Sequence, residues 1–181
     1  MKHSYKITII LLVIFFISQY FGLLVINQYV DHDATVINTD GTTTSSFENL
    51  PLGERPEFDE QTAYIPILIA VLIGTALLFG IIKFGAMRLW KLWFALALFV
   101  TFTTSIAAFT TTIIAIIVAV SLTIWRIFKN NPIIHNATEP LVYAGIAAIF
   151  VPVFNLWSIS ILLILISLYD AYAVWQSKHM I

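Results

Sequence analysis

The 181-residue sequence contains no cysteine. Disulfides, zinc–thiolate sites and thiol nucleophiles are therefore excluded. Charge is also scarce, at 10% of residues against 60% hydrophobic. A soluble globular domain carries about 25% charged residues, so this composition is that of an integral membrane protein. There is no phosphate-binding loop, nucleophile elbow or dinucleotide fingerprint. The four histidines, His3, His32, His135 and His179, are scattered and lack metal-site spacing. They read as interfacial or solvated residues. The basic patches are small and tied to apolar flanks, which argues against a nucleic-acid partner.

The few charges present are strongly segregated. Asp31, Asp33, Asp40, Glu48, Glu54, Glu57, Asp59 and Glu60 share one segment, residues 28–63. Every cation except Arg55 flanks an apolar run: Lys2, Lys6, Lys83, Arg88, Lys91, Arg126, Lys129 and Lys178. Residues 7–27 form the first run, long enough to span a bilayer and preceded by Lys2 and Lys6. No small-x-small cleavage pattern follows it, so it reads as a retained helix with a cytoplasmic N-terminus. Residues 28–63 then form a polar, partly mobile extracytoplasmic loop, with turn formers Gly41, Pro51, Gly53 and Pro56.

Residues 92–125 carry no charge. As one helix they would measure about 51 Å, against a hydrocarbon core of about 30 Å. Lys91 and Arg126 also belong on the same side, so a helical hairpin is required, with its turn near residues 103–112. The same reasoning divides residues 140–177 at Pro152 and Asn155, with Trp157 and Trp175 as interfacial anchors. The prediction is an all-α, polytopic transmembrane helix bundle, a single domain over residues 1–181. Its six spans lie near 7–27, 64–82, 91–106, 110–128, 139–154 and 157–176, with both termini cytoplasmic. Ala115/Ala119 and Ala144/Ala148 have the spacing of close helix contacts in lipid.

Asp170 is the one carboxylate well inside such a run, residues 161–175. An acid in a membrane-spanning helix is costly and is by default a functional group. It lies about 12 Å below the rim marked by Lys178 and His179, beyond the reach of its short side chain. Ser160, Ser167 and Asp170 fall on one helical face, expected to point into the bundle or a water-filled cavity. The plainer reading is a structural acid that pairs with Lys178 or caps a neighbouring helix. One aspartate alone cannot perform acid–base hydrolysis, since aspartyl proteolysis needs two carboxylates that share a proton. Adjacent Tyr169 reads on spacing alone as a packing aromatic. Thr138, Glu139 and Pro140 read as a helix start, with a hydroxyl N-cap, a first-turn acid and an early proline. The sequon at Asn136 falls on the cytoplasmic side in this topology.

The stretch Leu168-Tyr169-Asp170, continuing to Lys178-His179-Met180, resembles the presenilin and signal peptide peptidase family of nine-helix intramembrane aspartyl proteases. Their sixth helix carries Tyr-Asp near its cytoplasmic end, and Tyr169-Asp170 falls in the sixth predicted span. Residues 173–180 and 136–143 resemble the archaeal, presenilin-like branch, which implies an archaeal plasma membrane. The resemblance covers the whole chain but only the N-terminal two thirds of the family fold. It implies that Asp170 is one of two catalytic aspartates, next to the motif residue Tyr169, that the substrates are transmembrane helices, and that no metal or organic cofactor is needed. It further implies a C-terminal portion or second chain that carries Gly-x-Gly-Asp and Pro-Ala-Leu, motifs absent from these 181 residues. Two other classes remain: a proton-coupled transporter or channel subunit that uses Asp170 as carrier, and a non-catalytic membrane scaffold. The transporter class calls for further intramembrane charges, and none is expected in the other five runs.

Overall fold

A computed structural model describes residues 5–37, 43–55, 62, 64–129 and 131–177. Among them are six α-helices: α1 (Tyr5–Gln28), α2 (Tyr64–Lys83), α3 (Met87–Ala107), α4 (Thr112–Phe128), α5 (Pro132–Phe150) and α6 (Leu156–Ser177). A 3₁₀ turn, Val151–Val153, follows α5. Segments of α1, α2, α3 and α5 are long and apolar enough to cross a membrane, while α4 and the apolar part of α6 are shorter. A helix satisfies all its backbone polar groups internally, which lipid demands of any spanning segment. The chain divides into two compact units, residues 1–55 with 87–151, and residues 56–86 with 152–181.

In the first unit, α3 packs against both α4 and α5, and α1 packs against α5. The contacts are made by small side chains. Ala115, Ala119 and Ala144 are fully buried, and Ala148 is nearly so, which confirms both predicted small-residue pairs as contact positions. Gly145 is the tightest point. A Cβ built there would overlap the Thr101 carbonyl and lie 2.9 Å from the Thr101 Cα. Only glycine lets α3 and α5 approach so closely. Around these contacts, Leu98 and Phe102 pack with Phe99, Leu122, Leu141 and Val142. Val25 and Tyr29 pack with Phe21 and Phe47.

The predicted hairpin turn narrows to the few residues between α3 and α4. Thr103 and Thr104, read as turn-like, lie inside α3. Their hydroxyls donate to the carbonyls of Phe99 and Val100, at 2.8 and 3.0 Å. This back-bonding satisfies them within the helix. The fifth helix also begins earlier than expected. Asn131 is its N-cap, accepting from the Ile133 N–H at 2.9 Å, and Pro132 takes the first helical position. Thr138 is therefore not a cap, and Pro140 sits inside α5.

The segment expected to be a loop contains a hairpin, β1 (Val30–Ile37) and β2 (Thr43–Phe47), paired antiparallel with Val30 opposite Phe47. Its register shifts between Asp31 and Val36. There the Asp31 carboxylate accepts from the N–H groups of Asp33 and Ala34, a local turn that takes up the extra residues.

The second unit is built from α2 and α6. Helix α2 is stopped just past Lys83 by Gly85, whose φ of 66° allows the Ala86 N–H to bond the Ile81 carbonyl at 2.9 Å. That is a left-handed glycine stop, followed at once by α3. Helix α6 starts at Asn155, whose side chain accepts from the Ser158 N–H at 2.7 Å. The predicted break at Pro152 and Asn155 is thus a 3₁₀ turn followed by an N-cap.

Candidate functional site

Asp170 and Tyr169 lie on α6, and both are exposed. Ser167 is exposed too, and the Ser160 hydroxyl is occupied by the Leu156 carbonyl at 2.7 Å. The face expected to be enclosed is therefore open at Ser167 and Asp170. Among the described residues, Asp170 has no hydrogen-bond or ion-pair partner. Lys178, the alternative partner read from the sequence, lies outside the described residues. Thr75 is the one serine or threonine within α2, and it bonds its own helix at the Val71 carbonyl, at 2.8 Å. Among its described residues, the unit thus presents a carboxylate and a phenol at adjacent positions of an apolar helix, and α2 and α6 supply no second acid.

A second polar cluster joins α4 to α5. Arg126 is buried in the last turn of α4, and its Nη2 pairs with Glu139 Oε1 at 2.7 Å. Its Nη1 donates to Thr138 Oγ1 at 2.6 Å, and Thr138 in turn donates to the Ile134 carbonyl at 2.8 Å. This overturns the expectation that the runs other than α6 hold no buried charge. It also replaces the reading of Arg126 as a rim cation and of Glu139 as a first-turn acid. Residues 135, 138 and 139 share one face of α5, and Arg126 reaches all three. The signal was available in the sequence: a His/Thr/Glu face that follows a lone Arg across a short connection.

Glu139 also lines an open cavity of about 420 Å³ with Ser18, Gln19, Asn136 and Tyr143 and the apolar Leu11, Ile14 and Phe15. Pro140 has no N–H, so the Asn136 carbonyl loses its intrahelical donor beside this cavity.

The third cluster ties the hairpin to the helices. Tyr29, just past α1, donates its hydroxyl to the Thr104 carbonyl at 2.7 Å. Arg55 lies over the rings of Tyr29 and Phe47, 5.5 and 5.8 Å from their centroids. It donates to the carbonyls of Glu48 and Ala148, at 2.6 and 2.8 Å. Burial pushes the Tyr29 phenol up to about 12; neighbouring Arg55 opposes the shift and Glu48 adds to it. Burial lowers Arg55, with Tyr29 opposing. Arg55, the one cation away from an apolar flank, is thus a clamp. No group of three or more potential metal ligands occurs among the described residues.

Comparison with known protein families, characterised proteins and solved structures finds no match. The arrangement of the chain's own residues is what bears on function.

Proposed function

We propose that this chain is the N-terminal, six-span portion of a presenilin-like intramembrane aspartyl protease. It resides in an archaeal plasma membrane with both termini cytoplasmic. The observation that carries this reading is an uncovered carboxylate, Asp170, on an apolar helix that offers it no partner among the described residues. Lipid makes such a group costly unless another polar surface meets it. In the reading, that surface is a second portion or chain that carries Gly-x-Gly-Asp and Pro-Ala-Leu.

The chemistry follows from two acids that share one proton. The ionised carboxylate takes a proton from water as the water attacks the scissile carbonyl, and the protonated one supplies a proton to the leaving amine. Asp170 fills one role, and its partner the other. Tyr169 projects about 100° away from Asp170 around the helix and packs beside the site rather than on the acid. The substrate is a transmembrane helix, unwound locally to present its backbone. Purified chain, incubated with a single-span helix in detergent or lipid, is expected to give no product alone and product once the Gly-x-Gly-Asp portion is added. Cleavage by the chain alone that survives Asp170→Ala would remove this mechanism.

A proton-coupled carrier is the competing reading, and the Arg126–Glu139 pair favours it. Buried ion pairs and proline-freed carbonyls beside a cavity are parts that carriers use. Proteoliposomes loaded with a pH-sensitive dye discriminate the two. The protease reading expects no proton flux above that of empty vesicles. Flux abolished by Glu139→Gln would favour the carrier.

A further inference from the structure

A cavity of about 330 Å³ opens in the first unit, lined by Lys91, Phe94, Arg126, Ile127 and His135. Its volume falls at the lower end of small-ligand pockets, which span about 300–1,000 Å³. Lys91 stands near the start of α3, Arg126 in the last turn of α4 and His135 in the first turn of α5. Three helix ends therefore converge on it. Arg88 and Lys129 belong to the same rim, and so do Trp90, Trp93 and Trp125, within about two turns of those helix ends. Tryptophans at one level mark the headgroup zone of a bilayer, and the concentration of Lys and Arg marks the cytoplasmic side.

Every ionisable side chain that lines the cavity is basic. The nearest acid, Glu139, already accepts from Arg126 Nη2 at 2.7 Å. Arg126 nonetheless keeps one donor unused. Its Nε is buried with no hydrogen-bond partner among the described residues. A buried guanidinium N–H without an acceptor is expensive, and an anionic oxygen in the cavity would supply the acceptor. Arg and Lys are the side chains best suited to phosphate, the one through its planar fork and the other as a point charge. Phe94 and Ile127 give the same cavity an apolar wall. A free anion has no use for that wall, whereas the glycerol and upper chain carbons of a lipid do. Basic pockets between transmembrane helices on the cytoplasmic face are where lipid phosphates dock.

We propose that this cavity binds the phosphate of an anionic phospholipid, with Lys91, Arg126 and His135 around the phosphate and Phe94 and Ile127 against the root of its hydrocarbon chains. The lipid joins the ends of α3, α4 and α5 from outside, as the Arg126–Glu139 pair joins α4 and α5 from within.

The test uses the full chain in neutral detergent, titrated with phosphatidylglycerol, phosphatidylcholine or inorganic phosphate and read by native mass spectrometry. Phosphatidylglycerol should bind at least about tenfold more tightly than either of the others. Lys91→Gln with His135→Gln removes cavity contacts without touching the buried ion pair, and should weaken phosphatidylglycerol about tenfold. Arg88→Gln with Lys129→Gln removes rim charge outside the cavity, and should weaken it less than about twofold. Helical circular dichroism of each variant confirms that the fold is retained. Equal losses in the two double variants would overturn the proposal in favour of diffuse surface attraction. Equal binding of phosphatidylcholine would overturn the role of charge. Inorganic phosphate as tight as the lipid would overturn the lipid and leave a free-anion site.

Discussion

A guanidinium near the end of an apolar helix can stay charged in two ways, by reaching out to water or by finding an acid inside. Arg126 takes the second, and its 2.7 Å bond to Glu139 binds α4 to α5. Removing one member of a fully buried pair costs about 3–5 kcal/mol, and Arg126→Met costs less than that because the Glu139 left behind is 29% exposed, whereas replacing both with neutral groups of similar size is often near neutral. Arg126→Met alone is therefore expected to lower the thermal unfolding midpoint in detergent well below that of Arg126→Met with Glu139→Gln. A double variant no better than the single would show that the pair is not the source of the loss. Tyr29 provides a pH-dependent counterpart. Its phenol titrates near 12 when folded, against 10.0 when free. Between those values the folded chain holds more protons, so stability is whole below about pH 10 and falls as pH rises towards 12. Tyr29→Phe keeps the ring but loses the bond to Thr104, at a cost of about 1 kcal/mol. It should also flatten the decline in unfolding midpoint above about pH 10. A decline of unchanged steepness would assign it to other groups. The Arg126–Glu139 pairing had a trace in the sequence, the His/Thr/Glu face just after Arg126, whereas the pairing of Tyr29 with Thr104 of α3 had none, because it joins elements far apart in the chain.

At the level of elements, apolar run length and cation placement locate six helices, because lipid leaves the backbone no other solution. Their ends are less legible. Thr103 and Thr104 resemble turn formers but bond their own helix, while the start of α5 is marked by Asn131-Pro132 rather than by Thr138. Two capping patterns lie within two turns of each other; the earlier one forms, and the Thr138 hydroxyl is engaged by Arg126 and by its own helix. The hairpin was missed because its polar strands lack the alternating apolar pattern that marks a half-buried strand. The contact between α3 and α5 gives the sharpest test at this scale. Gly145→Ala places a methyl group against the Thr101 backbone, where no flexible side chain can yield. Such overpacking costs about 1–3 kcal/mol or more. Gly74→Ala meets nothing within 4 Å and sits in helical α2. It should leave the unfolding midpoint unchanged or raise it slightly. Equal tolerance of the two substitutions would contradict the close packing of α3 on α5.

For the whole molecule, the proposed topology rests on charge segregation. Acids gather in residues 28–63 and cations flank the apolar runs. Reporter fusions after Tyr29 and after Met180 should therefore report opposite sides of the membrane, and agreement between them would break the six-span count. The membrane class and the helical fold were readable from composition and run length alone. The catalytic reading rests on one acid, Asp170, and on the resemblance around it. A second acid lies in none of the described surroundings of Asp170, because α6 and α2 carry no other carboxylate. The most direct measurement is co-expression of this chain with a membrane portion bearing Gly-x-Gly-Asp, comparing cleavage of a single-span substrate for the unaltered chain and for Asp170→Asn. Asparagine keeps the shape and the hydrogen bonds but cannot exchange the proton. The account predicts product from the unaltered pair and a loss of about 10²–10⁴-fold with Asp170→Asn, at unchanged yield of folded protein. Near-normal cleavage by the Asp170→Asn chain would contradict it and leave Asp170 a packing residue.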